Sequence, residues 1–183
     1  MTSKNDDQEE ATPLPPETKF YMTPVGYAAL EKEQRWLLRE ERPRIVEIVS
    51  WAAGNGDRSE NGDYLYNKKR LREIDRRLRY LTQRIENAQV VDPLRQQGLD
   101  QVFFGATVIY ARADGTEQTV TLVGIDEADL DQGKINWLSP VGRALMKRRE
   151  GDIVTVRTEK GEETLEILEI SYRVQGRLIQ SKP

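Results

Sequence analysis

The apolar residues Leu71, Ile74, Leu78, Leu81, Ile85 and Ala88 recur at spacings of 3, 4, 3, 4 and 3. On an α-helix that spacing places all six on one narrow face, the seam of a coiled coil. A seam of this kind needs a second helix to cover it. Upstream, Leu30, Leu37, Leu38, Ile45, Ile48 and Ala52 form a comparable stripe, and Gly54-Asn55-Gly56-Asp57 breaks the helical pattern between the two. The spacing therefore predicts an antiparallel helical hairpin over about residues 23–87. Pro43 lies inside the first arm, where it removes a backbone donor and crowds the preceding turn, so a kink is expected near residues 39–42. With about 30 residues per arm and about 1.5 Å of rise per residue, the hairpin reaches roughly 45 Å.

After Asp92-Pro93 the pattern changes from helical to alternating. Residues 107–113 and 116–123 flank an Asp114-Gly115 turn, and residues 152–158 and 163–172 flank a turn containing Gly161. These are two β-hairpins. Residues 135–138 suit a further strand, and Pro140 favours the first turn of a short helix over 141–149. The fold class is α+β: a helical hairpin over 21–92, then a compact β-rich domain with one short helix over 93–173. Residues 1–20 hold Asp6, Asp7, Glu9, Glu10 and three prolines with little to bury, and read as a disordered acidic arm. Residues 174–183 read as a loose tail.

The chain has no cysteine and no histidine. Disulfides, thiolate nucleophiles, imidazole catalysis and nearly all zinc sites are thereby excluded, and any metal chemistry must run on carboxylates, which suits magnesium. No apolar run is long enough to span a membrane, and the acidic start lacks the basic, apolar pattern of a secretion signal. A cytoplasmic monomer is expected.

The net charge is only −3, but it is unevenly placed. From Asp63 to Asn87 eight bases face four acids, a local charge of +4. Lys69, Arg72, Arg76 and Arg79 recur at three- and four-residue steps opposite the seam, where they either bind phosphate or are simply solvated. Arg70, Arg77 and Arg84 flank the seam and are expected to pair with Glu31, Glu40 or Glu47 of the first arm. At the tip, Asp57 followed three residues later by Glu60 matches a capping box, in which Asp57 caps the second helix and Glu60 reaches back. The same carboxylates, with Asp63, also lie close enough to hold a divalent ion loosely, provided that a partner completes its shell.

The segment Arg39-Glu40-Glu41-Arg42-Pro43, the tip Gly56-Asp57-Arg58-Ser59-Glu60-Asn61 and the run from Asp63-Tyr64-Leu65-Tyr66-Asn67 through Asp75-Arg76-Arg77 closely resemble the B-type bacterial Gre factors. The resemblance continues through Phe103-Phe104-Gly105-Ala106, Ser139-Pro140 and Arg143-Ala144-Leu145, covering about residues 21–173. It implies an FKBP-like C-terminal domain that docks on the rim of the secondary channel of bacterial RNA polymerase. The hairpin is then expected to enter that channel, with Asp57 and Glu60 helping to hold the second magnesium ion of the polymerase active site. Ser59, Asn61 and Asp63 would support the tip. Hydrolysis of backtracked RNA near its 3′ end would remain the polymerase's own reaction, with this chain as its cofactor and Lys69, Arg72, Arg76 and Arg79 touching the nascent RNA. Docking is expected around Ser139, Pro140, Leu145 and Met146, although Leu145 could instead be core. Gly62 stands where the family usually has alanine.

Two other functions fit parts of the sequence. A channel-binding regulator without cleavage would share the architecture, yet it would not need the carboxylate spacing of Asp57 and Glu60. Prolyl isomerase activity would need an open aromatic pocket, whereas Phe103, Phe104, Tyr110, Trp137 and Tyr172 are spaced more like sheet core.

Overall fold

A computed structural model of the chain describes residues 20–55, 61–159 and 161–173. Helix α1 (Pro24–Trp36) begins at Thr23, whose side chain accepts a hydrogen bond from the Gly26 amide, with Pro24 in the first turn. It runs through a π-helical segment (Leu37–Glu41) into α2 (Arg42–Ala53). Helix α3 (Gly62–Glu86) returns antiparallel. Salt bridges from Glu33 to Arg77 and from Arg42 to Asp75, and a hydrogen bond from Asn61 to Ala52, mark the crossing points in reverse order.

The π segment solves a register problem. The buried apolar side chains of the first arm are Leu30, Leu37, Ile45 and Ala52, so their spacing runs 7, 8, 7. A strict seven-residue repeat would leave Ile45 off the seam. The extra residue is absorbed where the Arg42 amide reaches back five residues to the Leu37 carbonyl. Pro43, with no amide to offer, follows immediately. The expected kink thus takes the form of a widened turn, and Leu38 is a correction: it is 52% exposed and lies off the seam. On α3, Ile74 and Leu81 are fully buried, with Leu71, Leu78 and Ile85 packed beside them. The helix stops at Glu86, so Ala88 belongs to strand β2 (Ala88–Val90), which pairs in parallel with β1 (Phe20–Met22) at the hairpin base.

The seam-flanking arginines are paired, but not with Glu31, Glu40 or Glu47. Arg77 forms a two-pronged bridge to Glu33 at 2.7 Å, and Arg70 lies 3.8 Å from Glu41 and 3.4 Å from Glu73. The register brings Glu33 and Glu41 inward, and the π turn leaves Glu41 buried between Arg44 and Arg70. Arg84 pairs outside the hairpin altogether.

The C-terminal domain is a five-stranded sheet in the order β5-β4-β3-β7-β6. Its strands are β3 (Thr107–Arg112), β4 (Glu117–Val123), β5 (Lys134–Asn136), β6 (Ile153–Thr158) and β7 (Gly161–Ser171). The two expected hairpins are present as β3–β4 and β6–β7, and β5 adds in parallel to β4. Alternate residues Val108, Tyr110, Val120, Leu122, Val154, Val156, Leu165 and Ile167 fill one face of the sheet. Helix α4 (Pro140–Leu145) packs on that core and is shorter than the expected 141–149. It ends because Met146 is extended and Lys147 has φ 64°, after which Arg149 bridges to Gln101. Gly142 is required here: a Cβ would lie 2.6 Å from the Trp137 carbonyl oxygen.

Two adjacent acids, Asp126 and Glu127, fasten this domain to the hairpin. Arg84 donates to Asp126 at 2.8 Å through Nε and lies 2.7 Å from it through Nη2, with both side chains buried. Its guanidinium also lies 4.2 Å above the Phe20 ring. Tyr80 donates its hydroxyl to the same carboxylate, and its pKa is pushed up to about 12, first by burial and then by that hydrogen bond. Glu127 accepts from the Thr23 amide at 3.0 Å, from the Thr23 hydroxyl and from the Gly124 amide at 3.2 Å. Gly26 lets the Glu127 carboxylate lie against α1, where any Cβ would overlap it. Between the two halves, Tyr21 stacks against Phe104 and Trp137, with centroids at 5.5 and 5.3 Å.

Removing one partner of a buried ion pair leaves the other charge desolvated, so Asp126→Ala should cost about 3–5 kcal/mol of stability. Asp100→Ala, which breaks the exposed bridge to Arg149, should cost less than about 1 kcal/mol. Urea unfolding of the two variants checks this, and equal losses would remove the special role of the joint.

Candidate functional site

The distal end of the hairpin is held by Asn61. Helix α2 closes at Gly54, whose amide donates to the Trp51 carbonyl at 3.1 Å. Helix α3 opens at Asn61, which has extended backbone and accepts the Tyr64 amide on Oδ1 at 3.1 Å. Its Nδ2 donates 2.8 Å across to the Ala52 carbonyl on the other arm. One amide side chain therefore caps one helix and clasps it to the last turn of the other. Asp57, Ser59 and Glu60 lie outside the described residues, but the cap that Asp57 was expected to provide for α3 is supplied by Asn61. The sequence reading put the cap four residues too early because Asp57 and Glu60 satisfy the same pattern as a true capping box.

Asp63 is exposed in the first turn of α3, where a carboxylate is favoured by the unpaired amides of the helix start. Its backbone carbonyl accepts from Asn67 at 2.9 Å, and Lys68 reaches over the Tyr64 ring at 5.3 Å. Among the described residues no group of three or more acidic side chains is arranged to hold a metal ion. Asp63 alone offers too few oxygen ligands to hold one.

Further along α3, Lys69, Arg72, Arg76 and Arg79 are all exposed and form no ion pair with any described residue. Arg70, Arg77 and Arg84 on the same helix each have a carboxylate partner. Apart from Lys68, which lies over the Tyr64 ring, the helix thus separates its cations into a paired flank and an unpaired outer face. That face can bind phosphates without breaking any contact of the fold.

In the C-terminal domain the four expected docking residues do not share one role. Ser139 caps α4 by accepting the Gly142 amide at 3.1 Å, Pro140 is exposed, and Met146 is partly buried against the core. Leu145 is fully buried and is a correction to the docking set: it supports the patch from beneath. Tyr110 and Tyr172 are buried, and the Tyr172 hydroxyl donates to the Gln101 carbonyl at 2.6 Å while accepting the Phe103 amide at 2.9 Å. Phe104 and Trp137 belong to the joint with Tyr21. Four of the five aromatics are thus committed to the sheet core or to the joint.

Two family models match the chain: transcription elongation factor, N-terminal, over residues 20–90, and transcription elongation factor GreA/GreB, C-terminal, over residues 96–172. The transcription elongation factor GreB of Neisseria meningitidis serogroup A is 61% identical over 85% of this chain and 96% of its own length. The GreB of Yersinia pestis is 50% identical over 84% of this chain and 89% of its own, and that of Pseudomonas putida 47% over 82% and 93%. The chain belongs to the GreA/GreB transcription elongation factor family. The boundary between the two family models, residues 91–95, falls where β2 gives way to the sheet domain.

Three features of this GreA/GreB chain escaped the sequence reading. Arg143, Lys147 and Arg148 are exposed beside Pro140 and Met146, so the patch has a basic rim. The run Lys147-Arg148-Arg149 was the available signal, but it had been placed inside a helix. Trp51 and Tyr66 are 66% and 71% exposed near the tip, and neither falls on the seam pattern. For Asn61, expected to support the tip, the clasp to Ala52 carries no sequence signal, because it needs a neighbour across the hairpin.

Asn61→Ala should cost about 1–2 kcal/mol, from a lost cap and a lost clasp. Asn61→Asp should restore the cap and not the clasp, since a carboxylate cannot donate to the Ala52 carbonyl. The Tyr64 amide should therefore exchange with solvent faster in the alanine variant than in the aspartate one. Equal exchange rates would show that Oδ1 does not cap α3.

Proposed function

We propose that this chain enters the secondary channel of bacterial RNA polymerase and stimulates the polymerase's own cleavage of backtracked RNA near the 3′ end. The observation that carries the reading is the identity of the cap. Asn61 supplies what the start of α3 requires, so helix capping no longer accounts for Asp57 and Glu60. Two carboxylates then remain at the far end of an arm whose α3 alone runs roughly 37 Å.

The chemistry assigned to them is modest. Asp57 and Glu60 add negative charge and oxygen ligands beside the polymerase's own carboxylates, and either can orient a water by accepting its hydrogen bond. A magnesium ion bound there would polarise the phosphate and favour ionisation of that water. Two acids alone cannot supply the rest of such a site, so on this reading the chain acts as a cofactor of the polymerase and is not a nuclease by itself. Lys69, Arg72, Arg76 and Arg79 would hold the extruded RNA by its phosphates, while Pro140, Met146 and their basic rim face the channel entrance. The names of the GreB relatives support a role in transcription elongation.

The test is RNA release from a backtracked elongation complex across a magnesium titration. Asp57→Asn and Glu60→Gln should each lower cleavage at least about tenfold at low magnesium and recover partly as magnesium rises, because a weakened site refills by mass action. Competition for polymerase should be unchanged, and the isolated chain should leave free RNA intact. Wild-type cleavage by both variants would sink the metal-ligand role and favour a channel-binding regulator. Separately, Met146→Asp should weaken competition for polymerase without unfolding the domain. A folded variant that competes fully would move docking elsewhere.

A further inference from the structure

We propose that the acidic segment at residues 6–10 occupies the basic outer face of α3, acting as a tethered competitor for nucleic acid. The surface is built from described residues: Lys69, Arg72, Arg76 and Arg79 are exposed, lie on one face and lack a carboxylate partner among the described residues. Elsewhere on α3 the fold pairs its arginines, so four uncompensated cations on one face are an exception within this helix. The matching charge is in the same chain. Asp6-Asp7-Gln8-Glu9-Glu10 carries four acids in five residues, equal in number to the four bases.

The point of attachment puts the two within reach. The described chain begins at Phe20, whose ring lies against the Arg84 guanidinium on α3 itself. From Arg84 the basic face runs back along the helix, about 8 Å to Arg79 and about 22 Å to Lys69. Glu10 is ten residue steps from Phe20, a contour length of at most about 35 Å, against about 33 Å along α3 from Arg84 to Gly62. The acids can therefore cover the whole stripe, and length alone does not stop them short of the start of α3. Tethering at this distance gives an effective concentration on the order of 1 mM, enough for even a weak, millimolar ionic contact to be occupied about half of the time.

The arm is also an addition to the family framework. The N-terminal family model starts at residue 20, and the Neisseria GreB alignment uses 96% of that protein but only 85% of this chain. The proposal that the arm touches the stripe does not depend on what the stripe binds. The consequence that it competes with RNA rests on the function proposed above.

The chain has no cysteine, so Ser3→Cys gives a unique site for a nitroxide spin label on the full-length protein. Paramagnetic broadening should fall on the amides of Lys69, Arg72, Arg76 and Arg79 at 50 mM salt and disappear at 0.5 M salt. It should also disappear when Asp6, Asp7, Glu9 and Glu10 are changed to Asn or Gln, or when the four bases are changed to alanine. Broadening that is absent, or that survives either set of changes, overturns the proposal. So does broadening that appears in a mixture of spin-labelled, isotope-free chains with isotope-labelled, spin-free chains, which would assign the contact to a second copy. In parallel, a fluorescent single-stranded RNA of 15 nucleotides should bind the charge-neutralised arm variant about two- to fivefold more tightly than wild type at 50 mM salt. If the broadening behaves as expected and neither protein binds the RNA, the arm contact stands and the RNA role of the stripe fails.

Discussion

Arg84 is about 5% exposed, and a guanidinium can stay that deeply buried only because Asp126 neutralises it and Phe20 and Tyr80 cover its faces. Everything distal depends on this contact. The hairpin is a lever: with an arm of roughly 37 Å, a rotation of about 6° at its base moves the tip by about 4 Å. On the function proposed above, a swing of that size would carry the tip away from the reacting atoms. Asp126 and Glu127 meet the requirement together, one holding α3 through Arg84 and Tyr80, the other holding the start of α1 through Thr23. Because the two helices are gripped by neighbouring residues of a single turn, they cannot swing independently.

The same need for rigidity explains the odd seven-eight-seven spacing of the first arm. A continuous α-helix would let its apolar stripe drift out of line with α3 beyond Leu37, exposing Ile45 and Ala52. The five-residue π turn absorbs one residue, returns the stripe to the seam and leaves room for Pro43. It also draws the Glu41 carboxylate inward, where Arg44 and Arg70 compensate it. At the far end Asn61 supplies a last polar clasp between the arms.

Much of this was legible in the sequence because it repeats. The α3 seam, the antiparallel hairpin, the two β-hairpins and the proline start of α4 all follow from periodicity or from residues with narrow backbone preferences. What was not legible is what requires a partner far along the chain. The choice of Glu33 and Glu41 over Glu31 and Glu40 depends on a register that pattern alone leaves open by a residue or two. Arg84 looked like another seam-flanking arginine, since nothing local reveals that Asp126 will arrive beside it. Leu145 could not be divided between core and surface without knowing which face of α4 meets the sheet. Asp57 matched a cap as well as a metal ligand because the capping-box pattern tests for residue types, not for where the helix begins.

The charge of the chain shows how residue type and role come apart. A net charge of −3 suggests little, yet seven of the eight bases of α3 divide into two groups with different physics. Arg70, Arg77 and Arg84 are directional, each committed to a carboxylate at a defined distance, and their loss would be felt by the fold. Lys69, Arg72, Arg76 and Arg79 are not committed to any described partner, so their field extends into solvent and falls off over about a Debye length. A polyanion reaching that face pays no cost in broken ion pairs, which makes its binding weakly selective and strongly dependent on salt. Selectivity for one polyanion over another must then come from geometry, from the reach of a tether on one side and from the width and depth of whatever channel admits the hairpin on the other.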